Sequence, residues 1–320
     1  MPKNRHRAAV VARPPIVGLL ILLLGLLACS SEAPSGAPAP DDGPLRIVTT
    51  TGMIADTAQR IVGDLGTVEA LMGPGIDPHL YKASESDVRK LSEADLILYN
   101  GLHLEGKMGD ILVKLARQRP VVAVTEAVPE DRRREPPELQ GNYDPHLWFD
   151  VGLWTLTLDP IVDALAEILP DQAETLRANA EALRGELDAL DGWVVEQLAQ
   201  IPEEQRVMVT AHDAFGYFGA RYGIEVVGIQ GISTLSEAGL QDVDRVVDLV
   251  VERRIKALFV ESSVPRRSIE AVQAACAERG HPVAIGGELF SDAMGPAGTP
   301  EGTYPGMVRH NVTTLVEALR

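Results

Sequence analysis

The stretch Arg206-Val207-Met208-Val209-Thr210-Ala211-His212-Asp213-Ala214-Phe215 runs from a short apolar segment, through a histidine, into the opening of a predicted helix. A brief apolar run that gives way to a helical pattern is the sequence mark of a βα unit. The alternation continues downstream: IEVVGI (224–229) precedes a helix around Leu240 to Glu252, ALFVES (257–262) a helix from Arg267 to Arg279, and PVAIGG (282–287) a final helix from about Tyr304. Upstream it repeats with LRIVTTT (45–51), TVEALM (67–72), DLILYN (95–100) and PVVAV (120–124), separated by helical stretches from Ile54, around Ser86 to Glu93, and from Lys107. Strands that alternate with helices predict an α/β fold with mostly parallel sheets.

Between the two series, residues from about Trp154 to Gln200 read as helix, broken once at Pro170. In the second piece Ala173, Leu176, Ala180, Leu183, Leu187, Leu190, Val194 and Leu198 recur at three- and four-residue steps, which places them on one face. The expected organisation is an N-terminal α/β lobe (45–153), a linking helix (154–202) and a C-terminal α/β lobe (203–320). Open α/β sheets bind ligands outside the carboxyl ends of their strands, so the loops that follow strands, and the cleft between lobes, are where chemistry is expected. A long linking helix limits hinge opening, which predicts capture and release by small lobe shifts and loop rearrangement around His212 and Asp292 rather than wide closure.

Composition narrows the partners. The chain has 320 residues with 29 Lys and Arg against 46 Asp and Glu, a formal charge of −17, which argues against nucleic acid or anionic lipid as the main partner. The first 28 residues nevertheless hold Lys3, Arg5, Arg7 and Arg13 and no acid, followed by the apolar run IVGLLILLLGLL (16–27). That run is shorter than the roughly 20 residues of a membrane span and suits the core of a signal peptide (1–28). It ends in Leu26-Leu27-Ala28-Cys29, which resembles a bacterial lipobox, so Cys29 is the expected lipidation site and 29–44, rich in Ser, Pro, Ala and Gly, the expected flexible tether. The expectation is an exported chain, lipid-anchored on the outer face of the cytoplasmic membrane, with Cys276 left without an intrachain partner.

Two of the seven histidines sit in a repeated phrase, Asp77-Pro78-His79-Leu80-Tyr81 and Asp144-Pro145-His146-Leu147-Trp148. Proline restrains the backbone beside each histidine, and an aspartate two residues earlier is placed to orient the imidazole, as carboxylates do behind metal-bound histidines. His212 ends a strand of the second series, and Asp292, in GGELFSDAMG, follows the strand PVAIGG. Two ligands from each lobe can meet in the cleft. Glu261 and Glu288 read as second-lobe structure, His103 as a structural loop residue, and His281 and His310 as solvent-facing. The segment Gly101-Leu102-His103-Leu104-Glu105-Gly106-Lys107-Met108 has phosphate-loop spacing but carries Met108 where a hydroxyl would ligate Mg²⁺, and Glu105 beside the phosphate position, so nucleotide binding is not expected.

The phrases DPHLY, NGLHLEGKM, DPHLW, TAHDAFGYF, QGISTLSEAG, FVESSVP and GGELFSDAMG together resemble the TroA family, the zinc- and manganese-binding components of bacterial ABC transporters, from about Leu45 to the C-terminus. The resemblance implies ligation of one Zn²⁺ or Mn²⁺ by His79, His146, His212 and Asp292, and a non-enzymatic, monomeric carrier. Its partners are then a membrane permease and a cytoplasmic ATPase on other chains. Three neutral imidazoles and a carboxylate suit zinc, whereas manganese prefers more oxygen. Relatives devoted to manganese usually carry Glu where this chain has His212, while the loop 126–144 lacks the His-rich run frequent in zinc-specific relatives, so both metals stay open. Two other readings compete: a zinc hydrolase in which three histidines hold the ion and water fills the fourth position, and a surface adhesin.

Overall fold

The computed structural model describes residues 43–320; the predicted signal peptide, Cys29 and all but the end of the tether lie outside the described residues. The N-terminal sheet comprises β1 (Leu45–Thr49), β2 (Gly66–Ala70), β3 (Leu96–Tyr99) and β4 (Val121–Ala123), in the order β2-β1-β3-β4, every pair parallel. Neighbouring residues of β1 point into different clusters, Ile47 into the main apolar mass and Val48 into a smaller one with Leu91 and Leu112. A parallel strand covered on both faces needs apolar residues on both, which is why β1 and β3 read as continuous runs. The helices are α1 (Gly52–Val62), α2 (Glu85–Glu93) and α3 (Gly109–Leu115).

The middle of the chain forms α4 (Val151–Trp154), α5 (Leu158–Ile168) and α6 (Ala173–Leu198). With 26 residues α6 is about 39 Å long. It buries Leu176, Ala180, Leu183, Leu187, Leu190, Val194 and Leu198, and packs against α1, α5 and the last helix, α10 (Tyr304–Leu319).

The C-terminal half contains β5 (Val207–His212), α7 (Gly216–Tyr222), β6 (Glu225–Gln230), α8 (Leu240–Glu252), β7 (Ala257–Glu261), α9 (Arg267–Glu278) and β8 (Ala284–Leu289). β5 pairs with β6 and β7 with β8, both parallel, and β5 lies beside β7. All six residues of β5 are buried, Met208 in the main cluster and Val207, Val209 and Ala211 in a second one under α8 and α9 that also takes the free thiol of Cys276. The main cluster extends without interruption from Leu45 and Ile47 through α1, α5 and α6 to Phe215, Leu289 and Leu315. The expected α/β fold with parallel sheets is the one observed.

Several local expectations are corrected. The helix expected from Asp213 begins at Gly216. The turn after β5 passes so close to β6 that a Cβ on Gly228 would sit 2.7 Å from the Asp213 amide nitrogen, and the chain turns here before it can coil. The helix expected from Lys107 begins at Gly109, after a turn in which Leu102 and His103 both hold positive φ. His281 and His310 are not solvent-facing: each is half-buried, with Nε2 against the carbonyl oxygens of Ile255 and Glu288 respectively.

Candidate metal centre

In each half the winding direction reverses beside the first strand, between β1 and β3 and between β5 and β7, and such reversals open crevices at the carboxyl ends of strands. His212 closes β5 and Glu261 closes β7, at the second of these reversals. Glu261 Oε1 accepts the His212 backbone N–H at 2.8 Å and Oε2 lies 2.5 Å from Nδ1. A carboxylate on Nδ1 makes that nitrogen the donor and turns Nε2 inward. Glu261 is therefore the oriented support of His212, a role its reading as plain second-lobe structure missed; one signal was available, an acid ending a strand otherwise wholly apolar.

His146 sits on the loop after β4. Asp144 Oδ1 accepts its backbone N–H at 3.0 Å and faces its Nδ1 at 2.8 Å, as the spacing of the repeated phrase implied. His79 sits on the loop after β2, and here the parallel breaks down. Asp77 Oδ1 accepts the backbone N–H groups of His79 (2.8 Å) and Leu80 (3.4 Å), but it makes no bond to the imidazole; its other oxygen takes the hydroxyl of Thr234 at 2.6 Å. Asp292 follows β8, and its loop is held by Trp148, whose indole N–H donates to the Ser291 carbonyl at 3.0 Å. Trp148 also packs its ring 5.1 Å from that of His146. It thus fixes two of the four groups relative to each other, a function the sequence signalled only by its place in the repeated phrase.

The four side chains converge. Each offers one ligand atom, all within 4.8 Å of one another, and all four residues are buried. His79 Nε2 lies 3.2 Å from His146 Nε2, and the Asp292 oxygens lie 3.3 Å from His212 Nε2, 3.4 Å from His146 Nε2 and 3.6 Å from His79 Nε2. Ligands about 2.0–2.1 Å from a tetrahedral ion are separated by edges of about 3.4 Å. These four separations lie close to that figure, and the remaining pairs of ligand atoms are within 4.8 Å of one another. His212 Nε2 and both Asp292 oxygens are buried without a hydrogen-bond partner, and native proteins seldom leave such groups bare unless they serve a ligand.

Electrostatics couple the cluster. Burial drives His79 down to about 3. Burial also acts to lower His146, but the Asp144 and Asp292 carboxylates outweigh it and push His146 up to about 9. His212 is raised well above its usual value, because Glu261 and Asp292 overcome its burial. Asp292, despite a burial that opposes ionisation, is held well below the carboxylate range by His212 and His146. The buried carboxylates favour positive charge on His146 and His212, and a divalent cation would supply that charge in place of protons.

The phosphate-loop spacing has its own explanation. The buried Glu105 carboxylate turns back into the cradle, accepting the Asn100 N–H (2.7 Å), the Gly101 N–H (3.2 Å) and the Thr50 hydroxyl (2.6 Å). The amides that would greet a phosphate hold an internal acid instead. His103 is exposed on the same turn and is not one of the four converging residues.

Comparison with known proteins agrees with this geometry. Residues 47–318 match the family described as the zinc-uptake complex component A, periplasmic (ZnuA). The manganese-binding lipoprotein MntA of Bacillus subtilis is 48% identical over 306 residues, 95% of this chain and 98% of that protein. The zinc-binding protein TroA of Treponema pallidum is likewise 48% identical, over 93% of this chain and 96% of its own. A solved structure of the periplasmic zinc-binding protein TroA from Treponema pallidum superposes with a TM-score of 0.84 at 49% identity, covering 87% of this chain and 99% of that one. With a family match across nearly the whole folded part and relatives of this identity over their full length, the chain belongs to the ZnuA family of metal-binding proteins, to which the TroA-like proteins it resembles are kin.

Proposed function

We propose that this chain captures Zn²⁺ or Mn²⁺ outside the cytoplasmic membrane, binding it through His79, His146, His212 and Asp292, and delivers it to a membrane permease driven by an ATPase on another chain. The observation that carries the reading is the convergence of four buried donor groups within 4.8 Å of one another, close enough to share one ion. Relatives of equal identity named for manganese and for zinc support both cargoes. Both Asp292 oxygens face histidines, so a bidentate carboxylate can add the extra oxygen that manganese favours. Zinc binds more tightly on intrinsic affinity. The ion is cargo, and four protein donors leave no open position for a catalytic water, which favours a carrier over a hydrolase. The lipobox-like Cys29, the tether and the fact that the Bacillus subtilis relative is a lipoprotein support anchoring on the outer face of that membrane. The lobes are 45–153 and 203–320, with 154–202 between them.

Mass spectrometry of the purified protein, followed by competitive titration of stripped protein with Zn²⁺ and Mn²⁺, tests the reading. One bound equivalent is expected, lost in the His79→Ala/His146→Ala double variant; none, or two per chain, overturns the four-ligand site.

The pH dependence follows from the histidines. A metal binds only neutral imidazole, so it must displace the protons that His146 and His212 carry at neutral pH, while His79 is already neutral. Two protons released per ion make affinity fall by about two log units for each pH unit lost across the neutral range, with the decline beginning near the raised His146 value rather than near 6.5. Chelator competition at several pH values, with proton release read from calorimetry in two buffers, checks this. Affinity that does not change through the neutral range contradicts it.

A further inference from the structure

The loop carrying His79 is lightly held. Ile76 and Leu80 on it are 39% and 45% exposed, so those two side chains do not anchor it in the core. Apart from His79 itself, which faces Asp292, it meets the C-terminal half at Gly75 and at Asp77. Gly75, at φ +72°, passes the Ser262 carbonyl at a distance where a Cβ would make bare van der Waals contact, 3.4 Å, and donates nothing to it. The second point is the Thr234 hydroxyl, which donates to Asp77 Oδ2 at 2.6 Å. Among the described residues this is the only hydrogen bond between the loop that follows β2 and the loop between β6 and α8. The facing loop is as loosely seated: its Leu235 is 60% exposed, whereas Thr234 itself is buried.

Asp77 divides its two oxygens between two tasks. Oδ1 accepts the backbone N–H groups of His79 and Leu80 and so sets the bend that presents the imidazole. Oδ2 faces the other half of the molecule. The same side chain therefore shapes the turn and ties it across the cleft, and His79 cannot swing out with its loop until the Thr234 bond breaks. His146, His212 and Asp292 have no such freedom, because Asp144, Glu261 and Trp148 hold them within buried structure. His79 is the group through which the ion can most easily leave.

We propose that Thr234 is a positioning residue for metal retention: its hydroxyl, bound to Asp77 across the cleft, keeps the His79 loop seated, and the breaking of that bond sets the rate of metal escape. The inference rests on the reading of His79 as a metal ligand. Thr234→Val keeps the shape and the buried methyl and removes only the donor, while Thr234→Ser restores the donor.

The test follows metal transfer from the Zn²⁺-loaded protein to excess chelator by stopped flow. Thr234→Val is expected to speed release on the order of ten-fold, the worth of one hydrogen bond to a charged acceptor, with the association rate unchanged and Thr234→Ser close to wild type. In the metal-free protein, amide exchange at residues 76–83 should rise in the valine variant and not in the serine variant. Release rates equal to wild type in Thr234→Val, or valine and serine variants that behave alike, overturn the latch. A wild type that holds no metal overturns the reading of the site instead, and the exchange measurement on metal-free protein still decides the latch by itself.

Discussion

Asp292→Ala lowers metal affinity by two orders of magnitude or more. Asp292 is the one anion among the four converging groups, and its oxygens stand 3.3 to 3.6 Å from all three histidine nitrogens, so its loss removes one vertex and the only carboxylate that faces all three rings. Removing one member of a buried charge pair costs about 3–5 kcal/mol, and about 1.4 kcal/mol is a decade. The metal-free protein changes as well. Asp292 helps to hold His146 and His212 protonated, so in the alanine variant the proton release that accompanies binding shrinks and the pH dependence flattens. Competitive titration of wild type and variant across several pH values reads both effects. Affinity kept intact, with loss of some hydrolytic turnover, would move the reading to the zinc hydrolase.

The second large effect is on stability. Glu261→Ala strips the carboxylate from the His212 backbone N–H and from Nδ1 at a place where both residues are buried. An uncompensated charge and an orphaned amide together are expected to destabilise the metal-free protein by about 3–5 kcal/mol, a fall in melting temperature on the order of 10 °C. The sign of its pH dependence is set by His212, whose pKa in the folded protein is raised by Glu261 and Asp292 against the pull of burial. A group raised on folding contributes fully below its unfolded value, about 6.5, and its contribution disappears as pH climbs through the folded value. The gap between wild type and variant is therefore widest at acidic and neutral pH and narrows in alkali. Glu261→Gln, which keeps an acceptor for the backbone N–H, falls between the two. Thermal melts of stripped protein over a pH series measure this, and equal melting temperatures for wild type and Glu261→Ala would contradict it.

The strands were legible because a parallel strand covered on both faces must be largely apolar, as β3 and the first half of β5 are. The apolar face of α6 was legible because its period is local. The convergence of His79, His146, His212 and Asp292 was legible from a repeated phrase and two strand ends. What surrounds them was not. The two DPHL phrases look alike, yet Asp144 reaches its imidazole and Asp77 turns instead to Thr234, 157 residues away. Glu261 meets His212 because β7 lies beside β5, and strand adjacency has no local trace in the chain. His281 and His310 were misplaced for a similar reason, since the carbonyls that hold them, those of Ile255 and Glu288, lie 26 and 22 residues earlier.

The main apolar cluster passes from the first sheet to the last helix without a gap. Two parallel sheets usually suggest two folding units that fail separately on heating or under protease attack. Here α6 and α10 weld them, so a break on either side exposes the same buried mass. An ion held by the native state is then expected to stabilise both sheet-bearing halves together, since they share the main cluster. On the proposed function, metal-loaded protein is expected to resist protease longer than stripped protein throughout its folded part rather than in one loop, so that metal supply sets how long the carrier lasts.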